Sequence, residues 1–202
     1  GWSGAGGPIT VSGGRSAAPA AACCRPRARS AAISPTGVLL TTFCDVPVTQ
    51  ELAEHVFKDT PVAHWFAVQV DAVHPKLTAM PIGIDRRDVG AMEAAPRADE
   101  RDILLYANLK AHTAERRDLM AQVAGWASRQ AATLSMPEYF AALGRSKFVL
   151  SPPGIAWDCY RTYEALAMSA IPIVRRCGRV SDVVAGLPVL LVDDWSEVTP
   201  ER

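Results

Sequence analysis

The sequence predicts an α/β fold built on a parallel sheet with helices on both faces, together with a partial second lobe and a disordered N-terminal tail. Three observations predict it. From residue 102 onward, short and wholly apolar runs alternate with helical patterns, which is how a sheet buried on both faces reads. A Gly-Pro loop at 151–154 closes one such run and opens a helix. Residues 1–44 contain no Asp or Glu, carry Arg15, Arg25, Arg27 and Arg29, and are rich in Ala, Gly and Ser. Two readings of that opening stretch stand side by side. One is a basic tail with too little apolar surface to fold, and the other is the remnant of a targeting peptide.

The elements follow in order. "TGVLLTTF" (36–43) reads as a buried strand. "TQELAEHVF" (49–57) has helical spacing, with Thr49 as N-cap and Leu52, Val56 and Phe57 on one face. "HWFAVQVD" (64–71) and "KLTAMPIGI" (76–84) read as strands, the second ending in a turn at Pro81-Ile82-Gly83. The charged, Ala/Pro-rich stretch 85–100 reads as a loop or linker. "DILLYANL" (102–109) is a clear apolar strand, and 113–127 is a helix capped by Thr113 without a capping box, because Arg116 stands at N3. Residues 135–146 form a better-marked helix, with Ser135 and Glu138 as an S-x-x-E box, Pro137 in the first turn and Gly144 at its end. Then come strand 147–151, helix 159–170, strand 171–174, a short helix over 180–186 and strand 188–192. The order from 102 is β-α-α-β-α-β-α-β, a Rossmann-like arrangement. The chain therefore divides into a tail (1–36), a partial N-terminal lobe (37–100) and a Rossmann-like lobe (101–202).

Composition narrows the function. The chain has 202 residues, 49% hydrophobic and 21% charged, which suits a globular protein with a sizeable core. Lys+Arg and Asp+Glu are 21 each, so no net charge draws the chain to nucleic acid. No run approaches the length of a transmembrane helix. The five cysteines form no C-x-x-C pair, and the four histidines lack metal-ligand spacing. No metal and no cofactor are expected.

The chemistry gathers after strand 147–151. In such sheets ligands sit outside the carboxyl ends of the strands. Ser151, Pro153 and Gly154 shape the loop, and Gly154 permits close backbone approach and a positive φ. The helix is expected to begin near Asp158, and its free N–H groups favour an anion. Arg161 in its first turn adds a planar fork suited to phosphate. Glu164, three residues on, stands on the same face and can accept hydrogen bonds from a ribose diol. Spacing alone also allows an exposed Arg161–Glu164 ion pair and Asp158 as a plain N-cap. Lys110, His112 and Arg116 follow the strand at 102–109, at the same end, and are further phosphate candidates. They read equally as the solvated start of a helix.

"KFVLSPPGIAWDCYRTYEALAMSAIPIV" (147–174) resembles the carboxyl-terminal sugar-nucleotide-binding signature of exostosin-like glycosyltransferases: a strand, S-P-x-G, an R-x-x-E-A-L helix and an I-P-I-V strand. "MPIGID" (80–85), "YANLKAHTAERR" (106–117) and "LPVLLVDDWSEVT" (187–199) resemble flanking parts of that family, so the resemblance covers roughly 37–200. It implies a GT-B fold, two Rossmann-like lobes with the active site between them, working without bound metal. It implies that Glu164 holds the ribose and Arg161 the diphosphate of a nucleotide-diphosphate sugar, expected to be UDP-linked, while Gly154 and loop 151–153 line the donor site. The acceptor is then a glycan or glycoconjugate hydroxyl, with Asp45 the nearest candidate for the base. The resemblance also implies the secretory pathway, in the Golgi or endoplasmic reticulum lumen. The short N-terminal part leaves two other readings: a truncated nucleotide-binding member needing a partner chain for its missing lobe, or an unrelated Rossmann-like binding module.

Overall fold

A computed structural model of the chain describes residues 9–12, 37–42, 45–129 and 134–200, with backbone alone at 9–12. The chain divides into two compact units, Gly1–Ile82 and Gly83–Arg202. Each is built on its own four-stranded parallel sheet with strands in sequence order.

The first unit holds β1 (Ile9–Ser12), β2 (Gly37–Thr42), α1 (Gln50–Asp59), β3 (Val62–Ala67) and β4 (Leu77–Ala79). β1 lies inside the stretch expected to be a disordered tail. It pairs in register with β2, Ile9 beside Leu39 and Val11 beside Thr41. The physical reason is an open sheet edge: β2 offers unpaired backbone groups, and a segment with β-branched Ile9, Thr10 and Val11 can meet them. The remainder of that stretch, like Phe43 and Cys44, lies outside the described residues. α1 starts where its cap predicts, with the Thr49 hydroxyl accepting from the Leu52 N–H at 3.3 Å. Its apolar stripe, Leu52, Ala53, Val56 and Phe57, packs on Leu39, Trp65 and Leu77 of the sheet.

The second unit holds α2 (Val89–Ala94), β5 (Ile103–Tyr106), α3 (Ala114–Gln122), α4 (Met136–Gly144), β6 (Ser146–Leu150), α5 (Tyr160–Ala167), β7 (Ile171–Arg175), α6 (Val180–Val183) and β8 (Leu190–Val192), then a 3-10 turn at Trp195–Glu197. Register assigns the faces. Leu105, Leu150, Ile173 and Val192 share one face and are covered by Leu119, Met120 and Val123 of α3 with Trp195 and Val198. Tyr106 and Val149 lie on the other, under Phe140 and Leu143 of α4 and Ala165 of α5. Val174, also on that second face, packs with Val180 and Val184 of the α6 turn. Helices thus cover both faces, as the wholly apolar strands require.

A second element departs from expectation. Stretch 85–100 contains α2, whose Ala91 and Met92 pack against the core shared by α4 and α5. Its single side of apolar residues is too short to register as a period in the sequence, and burial rather than propensity holds it. Both marked caps form. The Thr113 hydroxyl accepts from the Arg116 N–H at 3.2 Å, and the Glu138 carboxylate reaches back to the Ser135 N–H at 2.9 Å.

Candidate functional site

The loops after β5 and β6 meet at the carboxyl ends of these strands, and Arg116 ties them together. Its Nε donates to the Pro153 carbonyl at 2.9 Å, one Nη to the Pro152 carbonyl at 3.2 Å and the other to the Lys110 carbonyl at 3.4 Å. The side chain is buried, and burial together with the nearby Arg161 charge holds its guanidinium below the ordinary value. Gly154 sits against it. Its backbone is not in the left-handed region. The need for glycine is one of space, since a Cβ there would stand 3.3 Å from an Arg116 nitrogen and 3.7 Å from the Cys159 sulfur.

The rest of the loop is internally tied. Ser151 is buried with its hydroxyl 2.9 Å from that of Thr162. Trp157 fills a hydrophobic cluster with Val174, Val180 and Val184, its indole N–H without a partner among the described residues. Asp158 is buried and accepts from the Tyr163 hydroxyl at 3.0 Å. The helix, expected over 159–170, begins one residue later at Tyr160, so the cap position falls to Cys159 and not to Asp158. Burial followed by the neighbouring Asp158 charge pushes the Tyr163 hydroxyl well above its usual range.

Arg161 and Glu164 lie one turn apart on α5, and they do not form the exposed ion pair that their spacing allows. Arg161 is partly buried. It donates to the Asn108 carbonyl at 3.4 Å, while its Nε is buried without a partner among the described residues. Glu164 is 6% exposed and accepts from the Tyr139 hydroxyl at 2.7 Å. Burial raises its carboxyl above the ordinary value. The Tyr139 hydrogen bond and the Arg161 charge oppose that rise, and Asp88 and Asp85 add to it. A guanidinium with one unpartnered nitrogen in the first turn of α5 thus stands beside a buried carboxylate in the second, a cationic group next to an acceptor.

Lys110 and His112 are exposed on the loop after β5, and the His112 N–H donates to the Lys110 carbonyl at 2.9 Å. Asp45 is exposed beyond β2 in the first unit. Among the described residues no group of three His, Cys, Asp or Glu is placed to hold a metal.

Sequence reasoning missed the residues that orient the pair. Tyr139 sits on the apolar side of α4 and reads as core. The signal available was chemical, since a buried tyrosine hydroxyl needs a partner and Glu164 was the unexplained acid in the next helix. Asn108 contributes a backbone carbonyl, which no residue type announces. A second network was also missed: Glu115 accepts from Arg175 Nε at 2.8 Å and from the Trp195 indole at 2.7 Å, fixing the start of α3 to β7 and to the end of the chain.

The sequence pattern of the RXYLT1 C-terminal domain matches residues 97–200. The chain belongs to the RXYLT1 C-terminal domain family. The match takes in β5 to β8 and the whole of the loop and helix just described. The chain is also similar to ribitol-5-phosphate xylosyltransferase 1 of Danio rerio, at 30% identity over 102 residues, covering 45% of this chain and 23% of that protein. It spans less than a quarter of the curated relative. By its name that relative is a glycosyltransferase, the class expected from the sequence.

Proposed function

We propose that this chain carries the donor-binding part of a glycosyltransferase, of GT-B architecture and exostosin-like type, that takes a sugar from a nucleotide-diphosphate donor. The observation that carries the proposal is the pair on α5: Arg161 with a buried, unpartnered Nε, and Glu164 buried one turn away, at the carboxyl end of β6. In this reading Arg161 and the α5 N-terminus meet the diphosphate, and they stabilise the charge that develops as it leaves. Glu164 accepts from the ribose hydroxyls, while Ser151, Pro153, Gly154 and Asp158 shape the loop. Lys110 and His112 reach the phosphate from the β5 side, and Arg116 holds both loops in place. The diphosphate charge is met by protein groups, so a resident metal is not called for.

The relative's name directs the finer part of the proposal. The sugar is xylose, on a UDP carrier, and the acceptor is a ribitol-5-phosphate group on a glycan. Asp45 is the proposed base for the acceptor hydroxyl. A partner chain or further sequence completes the N-terminal lobe, and the setting is the secretory pathway. Among the described residues no helix is long and apolar enough to cross a membrane.

Calorimetric titration with UDP, GDP and UDP-xylose, on the wild-type chain and on Glu164→Ala and Arg161→Ala, tests the donor site. Micromolar binding of UDP is expected. Each variant should weaken it by about 10- to 100-fold, the scale of one lost hydrogen bond to a charged group. A folded wild-type chain that binds none of the three overturns the assignment.

A further inference from the structure

Glu164 is buried, and its carboxylate is held by a neighbour. Among the described residues the one side chain that hydrogen-bonds to its carboxylate is Tyr139, whose hydroxyl donates to Oε2 at 2.7 Å. A carboxylate oxygen has two lone pairs, so Oε1 and the second lone pair of Oε2 remain for a ligand. Tyr139 is itself held from several sides. Its ring centroid lies 5.3 Å from that of Phe140 and 6.5 Å from that of Tyr106. The helix that carries it is fixed by the Ser135–Glu138 capping box. The Tyr106 hydroxyl accepts from the Asn108 side chain at 3.2 Å, and the Asn108 carbonyl accepts from Arg161. A chain of contacts thus runs from Arg161 through Asn108, Tyr106 and Tyr139 to Glu164.

We infer that Tyr139 is the positioning residue for Glu164, and that by fixing the plane of this carboxylate it makes the site select ribonucleoside over 2′-deoxyribonucleoside diphosphates. The inference rests on the donor-site reading above. A vicinal diol is recognised when both hydroxyls find acceptors at fixed angles. A carboxylate free to rotate would accept from one hydroxyl as readily as from two. Tyr139 removes that freedom, because rotation breaks a hydrogen bond to a buried charged group. A second consequence follows from charge. The groups that act on Glu164 are Tyr139 from α4, Arg161 from α5, and Asp85 and Asp88 from the segment leading into α2. Of these only Tyr139 and Arg161 favour the ionised form. Without the Tyr139 hydroxyl, the carboxylate protonates at a higher pH.

The test titrates UDP and 2′-deoxy-UDP into the wild-type chain and into Tyr139→Phe. The wild type is expected to prefer UDP by about tenfold or more, the scale of a lost hydrogen bond to a buried charge. Tyr139→Phe should lose affinity for UDP, keep its affinity for 2′-deoxy-UDP and so lose the preference. Its loss of UDP binding with falling pH should also begin at a higher pH. Two replacements at 139 with the same ring shape guard against loss of the fold. With 4-fluorophenylalanine the preference should collapse as in Tyr139→Phe, and with 4-aminophenylalanine, which keeps a donor, it should persist. An unchanged ratio in folded Tyr139→Phe or in the fluoro variant overturns the inference and leaves the donor site standing. So does a wild type that binds both ligands equally. A folded wild type that binds neither overturns the donor site itself, and the inference with it.

Discussion

At the scale of the residue, Glu164 shows a conflict between stability and function. Its carboxyl is buried, so the ionised form is disfavoured in the folded state, and its value is raised above the ordinary 4.5. Between the unfolded and the folded value the native state binds more protons, so stability falls as pH rises through that window. Above it the cost of the buried charge is fully present. Glu164→Gln keeps an oxygen to accept from Tyr139 and removes the charge. It is expected to raise the thermal midpoint at pH 7 while weakening UDP binding. Thermal melts against pH check this: the gap between variant and wild type should close as pH falls to 4.5 and below. A variant that melts lower than wild type at pH 7 would show that the carboxylate contributes to stability.

At the scale of the element, α4 is placed by a glycine at its end. Gly144 is buried, and a Cβ there would stand 2.5 Å from the Pro96 carbonyl oxygen and 3.2 Å from the Met168 methyl. The first contact is with backbone, which cannot turn aside as a side chain can. Gly144→Ala is expected to cost about 1–3 kcal/mol, the range of overpacking in a close-packed interior. Chemical denaturation reads it as a lower midpoint at unchanged slope. Because α4 also carries Tyr139, the same variant should loosen the hold on Glu164 and weaken UDP binding. From the sequence, Gly144 reads only as a helix stop. Its second task, admitting the 95–97 segment against the helix, depends on a chain crossing about 50 residues away in sequence.

At the scale of the whole second unit, Glu115 joins three distant parts of the chain. It stands in the first turn of α3, accepts from Arg175 at the end of β7 and takes the indole N–H of Trp195. Burial pushes its carboxyl up. The Arg175 and Trp195 hydrogen bonds and the charges of Arg175 and Arg116 together outweigh that and hold it below the ordinary 4.5. A depressed value places its stabilisation above 4.5 and removes it as pH falls through the folded value. Glu115→Gln is expected to lower stability at pH 7 by about 1–3 kcal/mol, as a hydrogen-bonded charge pair loses its charge. Urea melts at pH 7 and pH 3 check it: the deficit should shrink at the lower pH. An equal deficit at both would mean that shape, not charge, holds the network.

The sequence by itself determined the elements that rest on local physics. The wholly apolar runs dictated a parallel sheet covered on both faces, and the caps at Thr49, Thr113 and Ser135 set three helix starts. The S-P-x-G loop and the Arg161–Glu164 spacing marked the end of β6 as the place to look. Tertiary structure decided the rest, because those outcomes depend on partners far away in sequence. β1 forms where an open sheet edge meets a β-branched segment. α2 forms because a core is present for Ala91 and Met92 to pack against. Arg116 reads as a phosphate ligand on an exposed helix start, yet in the fold it is buried against the carbonyls of Pro152 and Pro153. Spacing allowed an exposed Arg161–Glu164 ion pair, but in the fold Glu164 is buried against the Tyr139 hydroxyl and Arg161 donates to the Asn108 carbonyl. One is left with an unpartnered nitrogen and the other with acceptor capacity. Periodicity reports which face of an element is apolar, and it cannot report which polar group a distant element will place opposite.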